Sequence, residues 1–208
     1  RGDILIHSGD FGVPRSQVQY DDYIDLLNEF FAGLQYKHAI YVAGNHDMPL
    51  FGRDVEEIKS HLKYCTYLQD SSTIACGLKV YGSPWTRSRN MSFSFPSREF
   101  LHKTWAAIPS DTQVLVTHLP PANLLDLGGY GEAEQPVCTV CNKHHPRRKH
   151  WGCPHLRKHV LERVKPLVHV FGHVHECNGS ITEGSTLFVN AAMDMTPRPQ
   201  VFDMQPRP

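Results

Sequence analysis

No apolar run in the sequence approaches the roughly 20 residues that a membrane-spanning helix needs. Charge of neither sign is in excess: Lys plus Arg and Asp plus Glu each total 21 in 208 residues. That balance gives no broad electrostatic attraction to nucleic acid or to an anionic membrane surface. A signal-peptide pattern of charged start, short apolar middle and small-residue cleavage site is also lacking. The six cysteines, at 65, 76, 138, 141, 153 and 177, are irregularly spaced in a chain long enough to fold without covalent staples. These absences lead to the expectation of a cytoplasmic protein with free thiols, and leave room for one local metal site on the cysteines.

What is present is ordinary for a globular chain, with 40% hydrophobic and 20% charged residues. The length suits one domain over 1–208, with an irregular insertion at 122–152 and a Pro-rich tail at 197–208. The chain begins RGDILIHSGD, without an initiator Met and directly in a strand-like run. A fragment whose first strand lies upstream is therefore expected.

Residues 4–7, 38–43, 113–117 and 167–171 are short apolar runs that read as buried strands, with weaker strand signals near Tyr67 and at 78–81. Helical spacing runs over 16–34, 53–62, 99–108 and 154–164, the last with Pro at its first turn, a favoured place for it. Residues 180–182 and 186–190 read as a late hairpin. Continuously apolar strands alternating with helices imply an α/β fold in which a sheet is covered on both faces by helices.

Four of the apolar runs end in metal-ligand chemistry. ILIHSGD ends in Asp10, AIYVAGNHD in Asn45 and His46, VLVTH in His118, and HVFGHVH in His173 and His175. In α/β sheets the loops at the carboxyl ends of strands converge on one crevice. Gly9, Gly44 and Gly172 precede the ligand candidates, where glycine permits sharp turns and close backbone approach. One carboxylate, one amide oxygen and several imidazoles form a mixed O/N set suited to a divalent first-row metal. An imidazole beside a departing oxygen can also supply a proton near neutral pH.

The stretches GD (9–10), GNHD (44–47), TH (117–118) and GHVH (172–175), in this order, resemble the calcineurin-like metallophosphoesterase superfamily. YLQDS (67–71), YGSPWT (81–86), THLPP (117–121), HVFGHVHE (169–176) and FVNAA (188–192) are similar to its branch of metallophosphoesterase-domain-containing phosphodiesterases. The resemblance implies a calcineurin-like αββα sandwich, two mixed β-sheets flanked by helices. It also implies two divalent metal ions (Mn, Fe, Zn or Ni, with Mn favoured for assay). Asp10 would bridge them; Asn45, His118 and His173 would complete one and His175 would bind the other, with His46 as general acid. The implied activity is hydrolysis of a small phosphate ester, nucleotides included, by attack of metal-bound hydroxide. The family pattern opens with an Asp-x-His on an earlier strand; no such triplet precedes Gly9, in keeping with a fragment. A degenerate member that binds nucleotide or protein without turnover is the alternative.

Outside these motifs, Cys138 and Cys141 are followed by His144, His145, His150 and Cys153. Thiolates two residues apart with a later Cys or His can close a structural zinc site, here Cys138, Cys141, Cys153 and His144. A solvated basic loop is the competing reading, with Cys153 starting the next helix. Trp85 is expected to be core, as are His7 and His169, while Cys65, Cys76 and Cys177 are expected to be mostly buried thiols. Asp47 either orients His46 or caps the segment after it.

Overall fold

The computed structural model describes residues 2–12, 18–87, 91–95, 97–129, 137–138, 141–195 and 197–204. Three parallel strands, β1 (Gly2–His7), β2 (Tyr36–Tyr41) and β3 (Thr66–Tyr67), form the first sheet in that spatial order. The second is built from β4 (Ser71–Ala75), β5 (Leu78–Ser83) and β6 (Val114–Thr117), then β9 (Val168–Phe171), β10 (Gly179–Glu183) and β11 (Thr186–Asn190). Its order is β10-β11-β9-β6-β5-β4, parallel through β5, β6, β9 and β11, with antiparallel β4 and β10 at its edges. Between them in sequence, β7 (Leu127–Gly128) and β8 (Lys149–His150) make a two-stranded ribbon.

The alternation of side chains along each strand explains the layers. In β2 and the residues after it, Ile40 and Val42 point into a cluster with Leu68, Val80, Val114 and Val116, between the two sheets. Tyr41 and Ala43 point the other way, into a cluster with Tyr23, Leu27 and Phe31 of α1 (Tyr20–Ala32) and Ile58 of α2 (Val55–His61). Leu115 of β6, Phe171 of β9 and Phe188 of β11 face outward against Trp105 of α3 (Arg98–Ala106) and Leu156 of α4 (Pro154–His159). The sheets approach closely at Gly82, where a Cβ would stand 2.7 Å from Val42 Cγ2.

The result is the four-layer αββα sandwich. This is the sandwich that the family resemblance implies; the strand pattern alone implied one sheet with helices on both faces, whereas each sheet carries helices on one face and the other sheet on its second. Burial on both sides makes a strand continuously apolar whichever layer covers it, so the pattern does not distinguish the two. β4 carries no continuous apolar run because it is an edge strand with alternating exposure. Cys76 and Gly77 turn β4 into β5 with φ of 49° and 77°. This leaves Cys76 exposed, and Cys65 and Cys177 are only half-buried, against the expectation of buried thiols. Trp85 lines the core, its Nε1 donating to Asp70 Oδ2 at 2.6 Å. Residues 16–17 of the first expected helix, 130–136 and 139–140 of the insertion, and 205–208 of the tail lie outside the described residues. Among the described residues no helix is long and apolar enough to cross a membrane.

His169 is a core histidine as expected, and it makes stability depend on pH. It is fully buried on β9, with Nε2 2.8 Å from Thr117 Oγ1, and burial lowers it to about 3. In the unfolded chain a histidine titrates near 6.5. As pH falls below about 6.5 the unfolded state binds a proton that folded His169 refuses, so stability is lost from there down towards about 3. The expected loss from this residue is about 2 kcal/mol at pH 5. Urea denaturation at pH 7.5 and pH 5 checks this: His169→Gln should reduce the difference between the two pH values by about that amount.

Candidate active site

Because β1 and β2 run parallel, as do β6 and β9, each pair ends on one edge and its following loops meet. Gly172 N donates to His118 O at 3.2 Å, joining the loops after β6 and β9. His118 Nδ1 reaches across to Ser8 O at 2.7 Å, joining them to the loop after β1. The ligand atoms of Asp10, His118 and His173 consequently lie within 4.8 Å of one another. Asn45 Oδ1 is 3.1 Å from His118 Nε2, and Asp10 Oδ2 is also 3.1 Å from it. The rings of His118 and His173 are 5.1 Å apart.

Two of the gathered residues have strained backbone. Asp10 (φ 58°) and His173 (φ 69°) are both left-handed without being glycine, a conformation that costs about 1–2 kcal/mol per residue and gathers at functional sites. The loop is dense as well: a Cβ on Gly44 would meet Asp10 Oδ1, His118 Cε1 and Asp10 N.

Asp47, wholly buried, holds the two loops together. Its carboxylate accepts from Asp10 N at 2.9 Å, Phe11 N at 3.0 Å and Gly44 N at 2.5 Å, and from the hydroxyl of Tyr23. Burial, with the Asp47 charge beside it, raises the Tyr23 hydroxyl far above its ordinary range and keeps it a donor. Asp47 makes no side-chain cap on the segment that follows. Its role is to fasten Asp10 to the GNHD turn.

Electrostatics favour a cation between these groups. Burial would raise Asp10, but the His118 charge and hydrogen bond, with the donating backbone N–H of His46 at 2.7 Å, outweigh it and hold the carboxyl well below its usual range. Burial would lower His118, and Asp10 and the Ser8 carbonyl reverse that. Burial lowers His173 to about 3, with His118 adding to the effect, so it presents a neutral imidazole. The Ser8 carbonyl can only accept, so His118 Nδ1 carries a proton and Nε2 faces two oxygens. Two oxygens and a ring nitrogen at this spacing repel unless a proton or metal ion sits among them. This donor set fits a divalent metal, and the Ser8 contact is the outer hydrogen bond that a ligating imidazole uses.

The structure thus gathers Asp10, Asn45, His118 and His173. His46 Nε2 stands 4.0 Å from Asp10 Oδ2, at the side of this group. His175, in the short turn after β9, lies outside the 4.8 Å group, and its Nδ1 is 3.0 Å from Asp194 Oδ2. Two neighbours carry no sequence signal. Ser8 acts through its backbone carbonyl, and Trp151 comes from the insertion to place its ring 5.7 Å from that of His173. Asn45 Nδ2 lies 3.3 Å from Met91 Sδ, which orients the amide oxygen toward His118.

The cysteine-rich segment is arranged differently from the set named in the sequence. Cys138 and Cys141 come together with His145 and His150. His144 is exposed, and Cys153 is buried in the core, its Sγ accepting from Leu156 N at the start of α4.

The profile of the calcineurin-like phosphoesterase family matches residues 1–177. A UPF0046 protein of Caenorhabditis elegans is 37% identical over 212 residues, covering 92% of this chain and 67% of the relative. Metallophosphoesterase domain-containing protein 1 of Homo sapiens is 32% identical over 215 residues, covering 92% of this chain and 60% of the relative. The chain therefore spans 60% to 67% of the length of these two curated relatives. A solved crystal structure superposes with a TM-score of 0.53 at 21% identity, over 83% of this chain and 65% of that one, a likeness of fold.

Proposed function

The chain belongs to the calcineurin-like phosphoesterase family, and from that premise we propose that it is a metal-dependent phosphodiesterase acting on a small organic phosphate diester. The observation that carries the reading is the gathering of Asp10, His118 and His173 within 4.8 Å, with Asn45 Oδ1 3.1 Å from His118 Nε2. Asp10, Asn45, His118 and His173 would hold one cation; Asp10 and His175 would serve a second. When bound, divalent cations withdraw charge from the phosphoryl oxygens and acidify the attacking water. Mn, Fe, Zn or Ni all suit an O/N donor set, and Mn²⁺ is the cation chosen for assay.

The chain's own residues supply positioning and the proton. Asp10 would supply the one anionic ligand of the set. Asn45 contributes a neutral oxygen, limiting negative charge where an anionic phosphate lands. His46 Nε2 gives a proton to the departing oxygen. None of these described site residues is Lys or Arg, so beyond the metal ions no protein cation is offered to a second phosphate charge; a singly charged diester suits the site better than a doubly charged monoester.

The test uses Mn²⁺ with bis-(p-nitrophenyl) phosphate and with a nucleoside phosphodiester whose leaving group is an alkoxide. Asp10→Ala is expected to abolish turnover of both. His46→Ala should lower kcat by about 10²–10⁴ on the alkoxide substrate and far less on the nitrophenyl one, whose leaving group needs no proton. Undiminished turnover in both variants would overturn these roles. Metal and nucleotide binding without turnover in the wild type would favour a binding-only member of the fold.

A further inference from the structure

Outside the active site, the Sγ atoms of Cys138 and Cys141 and one ring nitrogen each of His145 and His150 lie within 4.8 Å of one another. We propose that these four residues bind a structural zinc ion, separate from the catalytic metals, which orders residues 141–150 and thereby seats Trp151 against His173.

Residues 141–150 read CNKHHPRRKH and contain no large apolar side chain, so hydrophobic packing cannot order them. The backbone is nonetheless wound tightly. Cys138 N donates to Lys143 O at 2.9 Å, Asn142 N donates to Cys138 O at 2.8 Å, and Asn142 and Arg147 have φ of 56° and 63°. A chain too polar to build a core can take its order from a metal instead.

Both imidazoles are held in a tautomer that leaves Nε2 free to bind zinc. His145 Nδ1 lies 3.0 Å from Arg148 O, and His150 Nδ1 lies 2.6 Å from Asp126 Oδ1. A carbonyl and a carboxylate accept, so both Nδ1 atoms carry protons and both Nε2 atoms present lone pairs. His145 Nε2 is 3.3 Å from Cys141 Sγ; two ligands sharing a tetrahedral zinc at ordinary bond lengths stand about 3.6 Å apart. The His150 side chain is only 7% exposed, and its buried Nε2 has no hydrogen-bond partner among the described residues. The perpendicular His145 and His150 rings are 5.2 Å apart. A buried imidazole lone pair beside two thiols is a donor set that a zinc ion satisfies.

Asp126 supplies the outer support. It is 1% exposed, and besides His150 it accepts from Asn123 N and Gly152 N at 3.0 Å each. This is the carboxylate–histidine arrangement that orients zinc ligands. Two thiolates and two neutral imidazoles select zinc, whereas the O/N active site does not. Trp151 follows His150 directly, and its backbone N–H donates to Asp126 O at 2.9 Å. The zinc ligand and the residue packed on His173 therefore share one support.

The proposal stands apart from the catalytic reading and is tested on the whole chain, purified without a histidine tag. Elemental analysis should find one zinc that Asp10→Ala and His144→Ala retain and Cys141→Ser loses. Cobalt replacement should give an intense sulfur-to-cobalt charge-transfer band, which the thiol-free active site cannot produce. Asp126→Asn should weaken zinc binding about 10–100-fold. Stripping the zinc should open the segment between Lys143 and Lys149 to trypsin. The cobalt experiment needs no variant: if the wild-type chain shows no such band, or its zinc content is unchanged in Cys141→Ser, the proposal fails.

Discussion

Asp47→Ala is expected to destabilise the fold by about 3–5 kcal/mol and to remove phosphodiester turnover. The carboxylate is fully buried and accepts from three backbone N–H groups and the Tyr23 hydroxyl. Truncation leaves all four donors without that acceptor. A buried unsatisfied donor costs about 1–3 kcal/mol, and water entering the vacated space recovers part of that sum. Asn is no remedy, because its amide would point hydrogens at hydrogens. The catalytic loss follows because Asp10 N and Gly44 N hang on the same carboxylate, so Asp10 and the turn bearing Asn45 and His46 drift apart together. Urea denaturation and Mn²⁺-dependent kcat measure the two effects. Tyr23→Phe is the gentler companion, removing one donor at about 1 kcal/mol and leaving a foldable chain. A loss below about 1 kcal/mol in Asp47→Ala, with kcat within threefold, would mean that Asp47 is not the fastening described.

The parts of this protein legible in its sequence are those governed by local pattern. Apolar runs announced β1, β2, β6 and β9, and of the polar residues closing them Asp10, Asn45, His118 and His173 come together because parallel strands deliver their ends to a common edge. The covering layer was not legible: Ile40 and Tyr41 are equally apolar, yet one meets a sheet and the other a helix. The hydrogen bond from His118 to Ser8 O was invisible because any residue offers a carbonyl. Asp47 stood in the GNHD motif, but its partners lie 37 and 36 residues back, at Asp10 and Phe11, and only the paired strands bring them close. In the insertion, spacing pointed to Cys138, Cys141, Cys153 and His144, whereas the fold brings Cys138 and Cys141 to His145 and His150. The ribbon of Leu127–Gly128 with Lys149–His150 makes the choice, by setting His150 against Asp126.

A single methyl group at Gly44 is expected to be as damaging to catalysis as loss of a ligand. In Gly44→Ala the new Cβ would stand 2.5 Å from His118 Cε1 and 2.7 Å from Asp10 N, and would press on Asp10 Oδ1. Gly44 is not among the glycines with positive φ, so the backbone accepts alanine and the effect is steric. Asp10 N is pinned by Asp47, and the His118 ring by Ser8 O. The atoms able to yield are the Asp10 carboxylate and the His118 imidazole, both metal ligands in the proposed centre. Displacing one such group by about 1 Å costs on the order of 10²-fold in rate; displacing two should lower kcat/KM by about 10³-fold or more. Overpacking a dense loop costs only about 1–3 kcal/mol in stability, so the chain should still fold. The expected signature is a folded protein with weakened Mn²⁺ binding and almost no turnover, read by thermal denaturation, metal titration and kinetics on one preparation. Retention of kcat/KM within tenfold would show that the loop relaxes around the methyl, and the dense packing of Asp10, Gly44 and His118 would lose its catalytic meaning.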